Sequence, residues 1–279
     1  MTQSCLTGYF SNFAWVNRSK TIGPTGPTKK SFDFADLILE FTGKTGIAIA
    51  EEQALLLSRH VEIMLEWNSR LNLTRITAPE DIIVKHLLDS ILPSRFLPLS
   101  GHALDVGTGA GFPGIPLKIV YPGLSMVLLD SNRKKVSFLT AVATTLGLKG
   151  VQAQHGRWQD FYRDAEHANQ FELITMRALR LEPEHITSLA SRVLAPGGVL
   201  AHWTTAGGGE SEEHAARNGN FLDERRDSGA DGAYSPCMEY GGDFSYLLPG
   251  IDQPRAVRLW RKTKSFNFLA PFDSSGLAV

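Results

Sequence analysis

Ala103-Leu104-Asp105-Val106-Gly107-Thr108-Gly109-Ala110-Gly111-Phe112-Pro113-Gly114-Ile115-Pro116 is the stretch whose reading decides the fold of this chain. It begins as a short apolar strand, passes through a glycine-rich turn and enters a helix. Glycine tolerates positive φ and lets backbone approach a ligand closely. N–H groups at the start of a helix face polar or anionic groups. A second apolar run, Ser125 to Leu129, ends in Asp130. A carboxylate at the tip of a second strand is placed to accept hydrogen bonds from both hydroxyls of a ribose. Together these features predict an adenosine-containing cofactor.

Outward from this stretch, strands and helices alternate. Strand 103–106 is followed by a helix from about 114 to 121. Strand 126–129 precedes a helix over 133–146, closed by Gly147. A short strand over 151–154, a weak helix around 160–167 and a buried strand over 171–175 come next. A helix over roughly 184–194 then turns through Ala195-Pro196-Gly197-Gly198 into a strand over 199–203. The repetition predicts an α/β fold, a parallel sheet with helices on both faces.

Upstream, Ala54, Leu57, Val61, Met64 and Leu65 recur at three- and four-residue steps, which puts them on one face of a helix over 50–70. Thr77-Ala78-Pro79-Glu80 reads as a capping box with proline in the first turn. The helix it opens carries Ile82, Ile83, His86, Leu87 and Ile91, and ends between Pro98 and Gly101. Residues 48–100 are thus a small helical cap. Residues 1–47 read as a partly disordered extension with a Gly/Pro-rich linker, and with a short helix over 31–42 capped by Ser31. The main domain covers 101–264. Its segment 205–250 is irregular, with a helix near 210–217, and a late strand over 256–260 follows it. Residues 265–279 form a tail without pattern.

Composition narrows the partners. The net charge of −1 argues neither for nor against a nucleic acid, so any basic surface must be local. The two cysteines, Cys5 and Cys237, are too far apart in sequence for a metal motif, and the eight histidines are scattered, so no metal is expected. No apolar run approaches membrane-spanning length. Pro236-Cys237 resembles the nucleophile dipeptide of cytosine-C5 methyltransferases, but it lies in the irregular segment, where an incidental thiol is the simpler reading.

Two cofactors compete. Gly109-Ala110-Gly111-Phe112-Pro113-Gly114 matches the dinucleotide pattern G-x-G-x-x-G, which admits a nicotinamide-dependent oxidoreductase. Asp105, however, leads Gly107-Thr108-Gly109, and Pro113 and Pro116 delay the helix. Strand, D-x-G-x-G, a second strand ending in Asp and a late L-x-P-G-G turn resemble a class I S-adenosylmethionine-dependent methyltransferase. A protein that binds S-adenosylmethionine without catalysing is the third possibility.

Asn72-Leu73-Thr74, His86-Leu87-Leu88-Asp89-Ser90, Asp105 through Leu117, Leu128-Leu129-Asp130-Ser131 and Arg177-Ala178 occur in that order. This set resembles the bacterial small-subunit rRNA guanine-N7 methyltransferase family, also called glucose-inhibited division protein B. The resemblance covers roughly residues 50–203. It implies a Rossmann-like seven-stranded sheet, the last strand antiparallel, behind a helical N-terminal cap. It also implies S-adenosyl-L-methionine as cofactor, 16S rRNA or the small ribosomal subunit as partner, and cytoplasmic action; a monomer is expected, though no residue pattern specifies it.

By this resemblance Gly107, Phe112, Asp130, Trp158, Gln159 and Arg177 are cofactor-binding. Gly107 lets the loop approach the methionine part. Phe112 either covers the ligand or belongs to the core. Asp130 accepts from the ribose, or else caps the next helix. Trp158 and Gln159 lie beside the adenine, Gln159 where family members often carry an acid. Arg177 holds the cofactor carboxylate or a substrate phosphate, unless it forms a surface ion pair. His86 and Asp89 share a helix face, either as a packed polar pair joining cap to core or as part of the cleft. Arg75, Lys85, Arg133, Lys134 and Lys135 are candidates for an RNA-facing patch. No general acid or base is identified, and Thr204 stands where the family often has lysine.

Overall fold

In the computed structural model, residues 34–179, 183–205 and 238–263 are described. The helices are α1 (Phe34–Thr45), α2 (Glu51–Leu71), α3 (Pro79–Ile82), α4 (Asp89–Ile91), α5 (Gly114–Val120), α6 (Arg133–Thr145), α7 (Trp158–Phe161) and α8 (Pro183–Val193). The strands are β1 (Gly101–Val106), β2 (Leu124–Asp130), β3 (Val151–His155), β4 (Phe171–Arg177), β5 (Leu194–Thr205), β6 (Met238–Tyr246) and β7 (Arg255–Lys262). They form one sheet in the order β3-β2-β1-β4-β5-β7-β6. β3, β2, β1, β4 and β5 run parallel, and β7 is antiparallel to both β5 and β6.

The parallel strands place the carboxyl ends of β1, β2 and β4 side by side, with Asp105 paired to Leu128 and Thr175. β1 from Ala103 onward and most of β4 are buried, which is why they read as apolar runs rather than alternations. One face of the sheet shares a core with α1, α2, the cap helix, α5 and α6; Leu57, Ile83, Leu117, Phe138 and Ala201 are all fully buried there. A second cluster on the opposite face joins Leu104, Ile174 and Leu200 to Leu189 and Val193 of α8.

The cap helix is a single winding run over 79–96. It starts as α3, widens to a π-helical segment Ile83–Leu88, returns as α4 and tightens to a 3-10 segment Leu92–Phe96. Its N-cap is Ala78, with no side-chain hydrogen bond, so the capping box predicted at Thr77 does not form; Pro79 does occupy the first turn. A related tie is made at α2 instead: Gln53 Oε1 accepts the Ala50 N–H at 3.0 Å, and Gln53 Nε2 donates to Val120 O at 2.9 Å. This fastens α2 to the end of α5.

The helix predicted over 31–42 is observed as α1, with Ile38 buried against the cap. The stretch 205–250, read as irregular, contains strand β6. Gly241-Gly242 breaks its alternation: the pairing with β7 slips between Tyr240 and Gly242, and Gly242 takes φ 117°. Ala195-Pro196-Gly197-Gly198 bulges out of β5 between the pairs Phe171–Leu194 and Leu173–Val199. The weak helix at 160–167 is α7 plus a 3-10 turn, Ala165–His167. The 1–33 arm with its Ser31 cap, the helix near 210–217, Pro236-Cys237 and the tail lie outside the described residues.

Candidate cofactor site and its cap

The loop from β1 into α5 is shaped by three glycines in the left-handed region: Gly107 (φ 68°), Gly109 (61°) and Gly111 (88°). Gly107 and Thr108 donate to Leu129 O, so the loop is strapped across the end of β2. Asp105 is fully buried beneath it and anchors the turn. Its Oδ2 accepts the Gly114 N–H at 3.0 Å, and its Oδ1 accepts the Thr175 hydroxyl at 2.8 Å. Burial pushes the Asp105 carboxyl up, opposed by the hydroxyls of Thr108 and Thr175 and the Gly114 N–H. Fully buried, with both oxygens bonded within the fold, Asp105 anchors the turn.

Asp130 closes β2. Its Oδ2 accepts the Gly109 N–H at 3.0 Å and its Oδ1 accepts the Asn132 N–H at 2.8 Å. Asp130 is not the cap of α6: that position is Asn132, whose side chain accepts the Lys134 N–H. Each carboxylate oxygen has a further lone pair to offer. On the loop side, a Cβ added to Gly109 would meet nothing nearer than Gly107 O at 3.9 Å. A bare positive-φ turn beside a carboxylate with free acceptor capacity fits an adenosine with its ribose diol. Trp158 and Gln159 open α7, next along the same end of the sheet. Trp158 packs on Tyr162 and His185, with ring centroids 5.9 and 5.0 Å away, while Gln159 is exposed.

Phe112 is buried at 7 % exposure. Its ring stacks on His86 at 4.6 Å and lies 4.9 Å from His60. It therefore joins loop to cap as a core residue. His60, on the apolar face of α2, donates from Nε2 to Ala110 O at 3.0 Å, while its Nδ1 has no partner among the described residues. Burial drives its pKa down to about 4. The ring is neutral, and it fixes the glycine loop from above.

Arg177 ends β4 and is turned into the cap. Its Nη2 donates to Lys85 O at 2.7 Å and to His86 Nδ1 at 3.0 Å; its Nη1 donates to Ser90 Oγ at 3.1 Å and to His86 O at 3.2 Å. Nε stands 3.4 Å from Asp89 Oδ2. Guanidinium only donates, so His86 Nδ1 must accept, and the proton sits on Nε2, donated to Thr74 Oγ1 at 2.9 Å. Burial first, then the Arg177 charge, then His60, holds His86 near 3. Asp89 Oδ1 accepts the Tyr246 hydroxyl at 2.7 Å, and Asp89 O accepts Trp203 Nε1 at 2.7 Å. His86 and Asp89 are thus the polar pair that joins cap to core, bound to the ends of β4, β5 and β6.

The structure brings Gly107 and Asp130 to one turn and sets Phe112 and Arg177 together beneath the cap; Trp158 and Gln159 stand on α7. Sequence reading missed His60, Thr175 and Tyr246 as members. His60 carried a signal: a polar residue between Leu57 and Val61 on an otherwise apolar helical stripe. Arg75, Arg133 and Lys134 are exposed, Lys135 is half-buried, and Lys85 is paired with Asp81 at 2.8 Å.

Sheet order, glycine turn and terminal carboxylate define a class I S-adenosylmethionine-dependent methyltransferase fold. Residues 53–221 match the family model described as rRNA small subunit methyltransferase G, GidB. The chain is 49 % identical over 225 residues to ribosomal RNA small subunit methyltransferase G 1 of Syntrophobacter fumaroxidans, covering 79 % of this chain and 93 % of that one. It is 33 % identical over 228 residues to ribosomal RNA small subunit methyltransferase G of Streptococcus gordonii, covering 81 % and 90 %. This chain belongs to the rRNA small subunit methyltransferase G family. Membership sets aside the nicotinamide alternative.

Proposed function

We propose that this protein transfers a methyl group from S-adenosylmethionine to N7 of a guanine in 16S ribosomal RNA. One observation carries the cofactor: the Asp130 carboxylate is tied to Gly109 at the bare turn after β1. The relatives' name supplies the substrate. When bound, the cofactor supplies an electrophilic sulfonium methyl. Asp130 accepts from the ribose, the backbone at Gly107 and Gly109 lies against the methionine part, and Trp158 and Gln159 flank the adenine.

Guanine N7 offers a lone pair and carries no proton, so its attack needs no general base. The chain's task is alignment and exclusion of water. Its buried titratable groups at the strand ends are used accordingly: Asp105 holds the turn, and His86, Asp89 and Arg177 hold the cap. Arg177 acts on this reading through the cap helix it positions. The enzyme works as a monomer in the cytoplasm on 16S rRNA or the small ribosomal subunit, recognising RNA shape and an exposed base. No helix among the described residues is long and apolar enough to cross a membrane.

The test is methyl transfer from labelled S-adenosylmethionine to small subunits that lack the mark, with the product mapped by cleavage at N7-methylguanine. One new N7 site is the expected result. Cofactor uptake with no transfer to subunit or rRNA would identify a binding protein that does not catalyse, and no uptake at all would remove the reading.

A further inference from the structure

Between Asp130 and Asp160 the chain contains Arg133, Lys134, Lys135, Lys149 and Arg157 and not one Asp or Glu. In a protein of net charge −1 this is a strong local departure. The fold gathers the segment into one surface. It forms α6 and β3, and β3 is the terminal strand of the sheet. Arg133, Lys134, Lys149 and Arg157 are exposed, and none is ion-paired among the described residues.

Three observations separate this face from an ordinary solvated one. First, Arg133 and Lys134 occupy the first turn of α6, where no acidic residue stands. Cations there oppose the helix dipole, so helix stability does not account for them. Second, a groove of about 430 Å³ lies on the same surface, lined by Thr140, Thr144 and Lys149 among others. Hydroxyls and an ammonium are the groups that bind phosphate and sugar oxygens. Third, Trp67 packs edge-on against Phe138 at 5.8 Å, which brings the end of α2 beside α6. Between Glu66 and Glu80 that neighbouring chain carries Arg70 and Arg75 and no carboxylate. With 13 residues at about 1.5 Å each, α6 spans roughly 20 Å, with Arg133 at its start and Lys149 four residues past its end. The positive strip therefore extends from the rim beside Asp130 down the sheet edge.

We propose that the outer surface of α6 and β3, continued by the exposed Arg70 in the last turn of α2 and Arg75 beyond it, is the docking face for the ribosomal RNA backbone. It contacts phosphates and riboses and leaves base recognition to the cofactor end of the sheet. The inference rests on the ribosomal RNA reading above and adds where the RNA lies. It predicts that affinity depends steeply on salt, because each neutralised phosphate releases counterions.

The triple variant R133Q/K134Q/K149Q tests it, against the control R59Q/R95Q/R192Q, which removes equal charge elsewhere. Binding of unmethylated small subunits and of a 16S rRNA transcript is measured as a function of salt, together with S-adenosylhomocysteine affinity and Tm. The expected result is a loss of RNA affinity of about tenfold or more, with a log–log salt slope shallower by roughly 2. S-adenosylhomocysteine affinity should hold, and Tm should stay level or rise once cations leave the helix start. The control should bind RNA like the wild type. A triple variant that binds RNA like the wild type, while the wild type methylates subunits, would overturn the docking face and leave the proposed function standing. Wild-type protein that neither binds nor methylates subunits would remove the function and this inference with it. A charge effect seen on anionic lipid vesicles but not on RNA would also overturn the proposal.

Discussion

His60 makes the cap-to-loop junction acid-sensitive by an amount that follows from its burial. The ring is fully buried, held near 4 against 6.5 in the unfolded chain, chiefly by desolvation. Between those values the unfolded chain binds the extra proton and the folded chain does not, so stability falls as pH drops through that window. At pH 4.5, two units below the unfolded value, the His60 contribution is a loss of about 2.5 kcal/mol relative to neutral pH. His60→Gln isolates it. The amide nitrogen of Gln reaches about as far as Nε2, so it preserves the bond to Ala110 O while removing the titration. Urea denaturation of both proteins at steps from pH 7 to 4.5 gives the comparison. Loss of carboxylate interactions is common to both and cancels in the difference. His86, held near 3, leaves a residual slope in the variant. Wild type should lose about 2.5 kcal/mol more than His60→Gln across this range. S-adenosylhomocysteine affinity should weaken with it, since Ala110 belongs to the loop. Parallel stability curves would show that the ring is not held neutral by burial, and would refute the reasoning.

Three further outcomes follow from the same contacts. Arg177→Met leaves Asp89, whose side chain is 7 % exposed, with the Tyr246 hydroxyl as its remaining side-chain donor among the described residues; urea denaturation should show a loss of about 3–5 kcal/mol, only partly recovered in Arg177→Lys, which lacks the guanidinium fork. Gly114→Ala places a Cβ 2.5 Å from Leu128 Cδ2 and 2.8 Å from Asp105 Oδ2, both residues fully buried. It should cost about 1–3 kcal/mol or more from overpacking, whereas Gly109→Ala, meeting open space, bears only the left-handed strain of about 1–2 kcal/mol; thermal unfolding ranks the two. Asp130→Asn removes a charged acceptor worth about 1.5–3 kcal/mol per hydrogen bond, so calorimetry should show S-adenosylhomocysteine affinity lower by one to two powers of ten, and Tm should fall as well, because Asn keeps one acceptor oxygen for the two N–H groups of Gly109 and Asn132.

The parts of this molecule that could be read from its sequence are those encoded locally. The buried run of β1, the glycines that follow and the carboxylate ending β2 lie within three dozen or fewer residues of one another, and a parallel sheet leaves them one place to meet. The amphipathic face of α2 was legible for the same reason. What could not be read depends on hydrogen-bond register or on distant partners. β6 hid because Gly241-Gly242 slips its pairing by a residue and confines the alternation to the five residues Gly242–Tyr246. Tyr246 has no motif; its role exists only because β6 ends opposite Asp89. Arg177 was visible as a strand-end cation, but nothing local to it indicates that its donors are taken up by residues 85–90.

The π-helical segment explains why that seat exists. A π-turn draws its carbonyl groups into wider i+5 spacing and leaves their lone pairs open to a second donor. Lys85 O and His86 O, both in Ile83–Leu88, are the carbonyls that receive Arg177. Segment and arginine are therefore one device. If Ile83–Leu88 tightened to an α-helix, the residues after it would rotate by about 100° per residue of register. Asp89 would leave Tyr246 and Trp203, and His86 would leave Phe112. Through His86 and Phe112 the seat of Arg177 bears on the loop that Asp130 holds from the other side. On the proposed cofactor reading the cap is a wall of that site, and substitutions along its inner face should alter cofactor affinity although none of those side chains needs to touch the ligand.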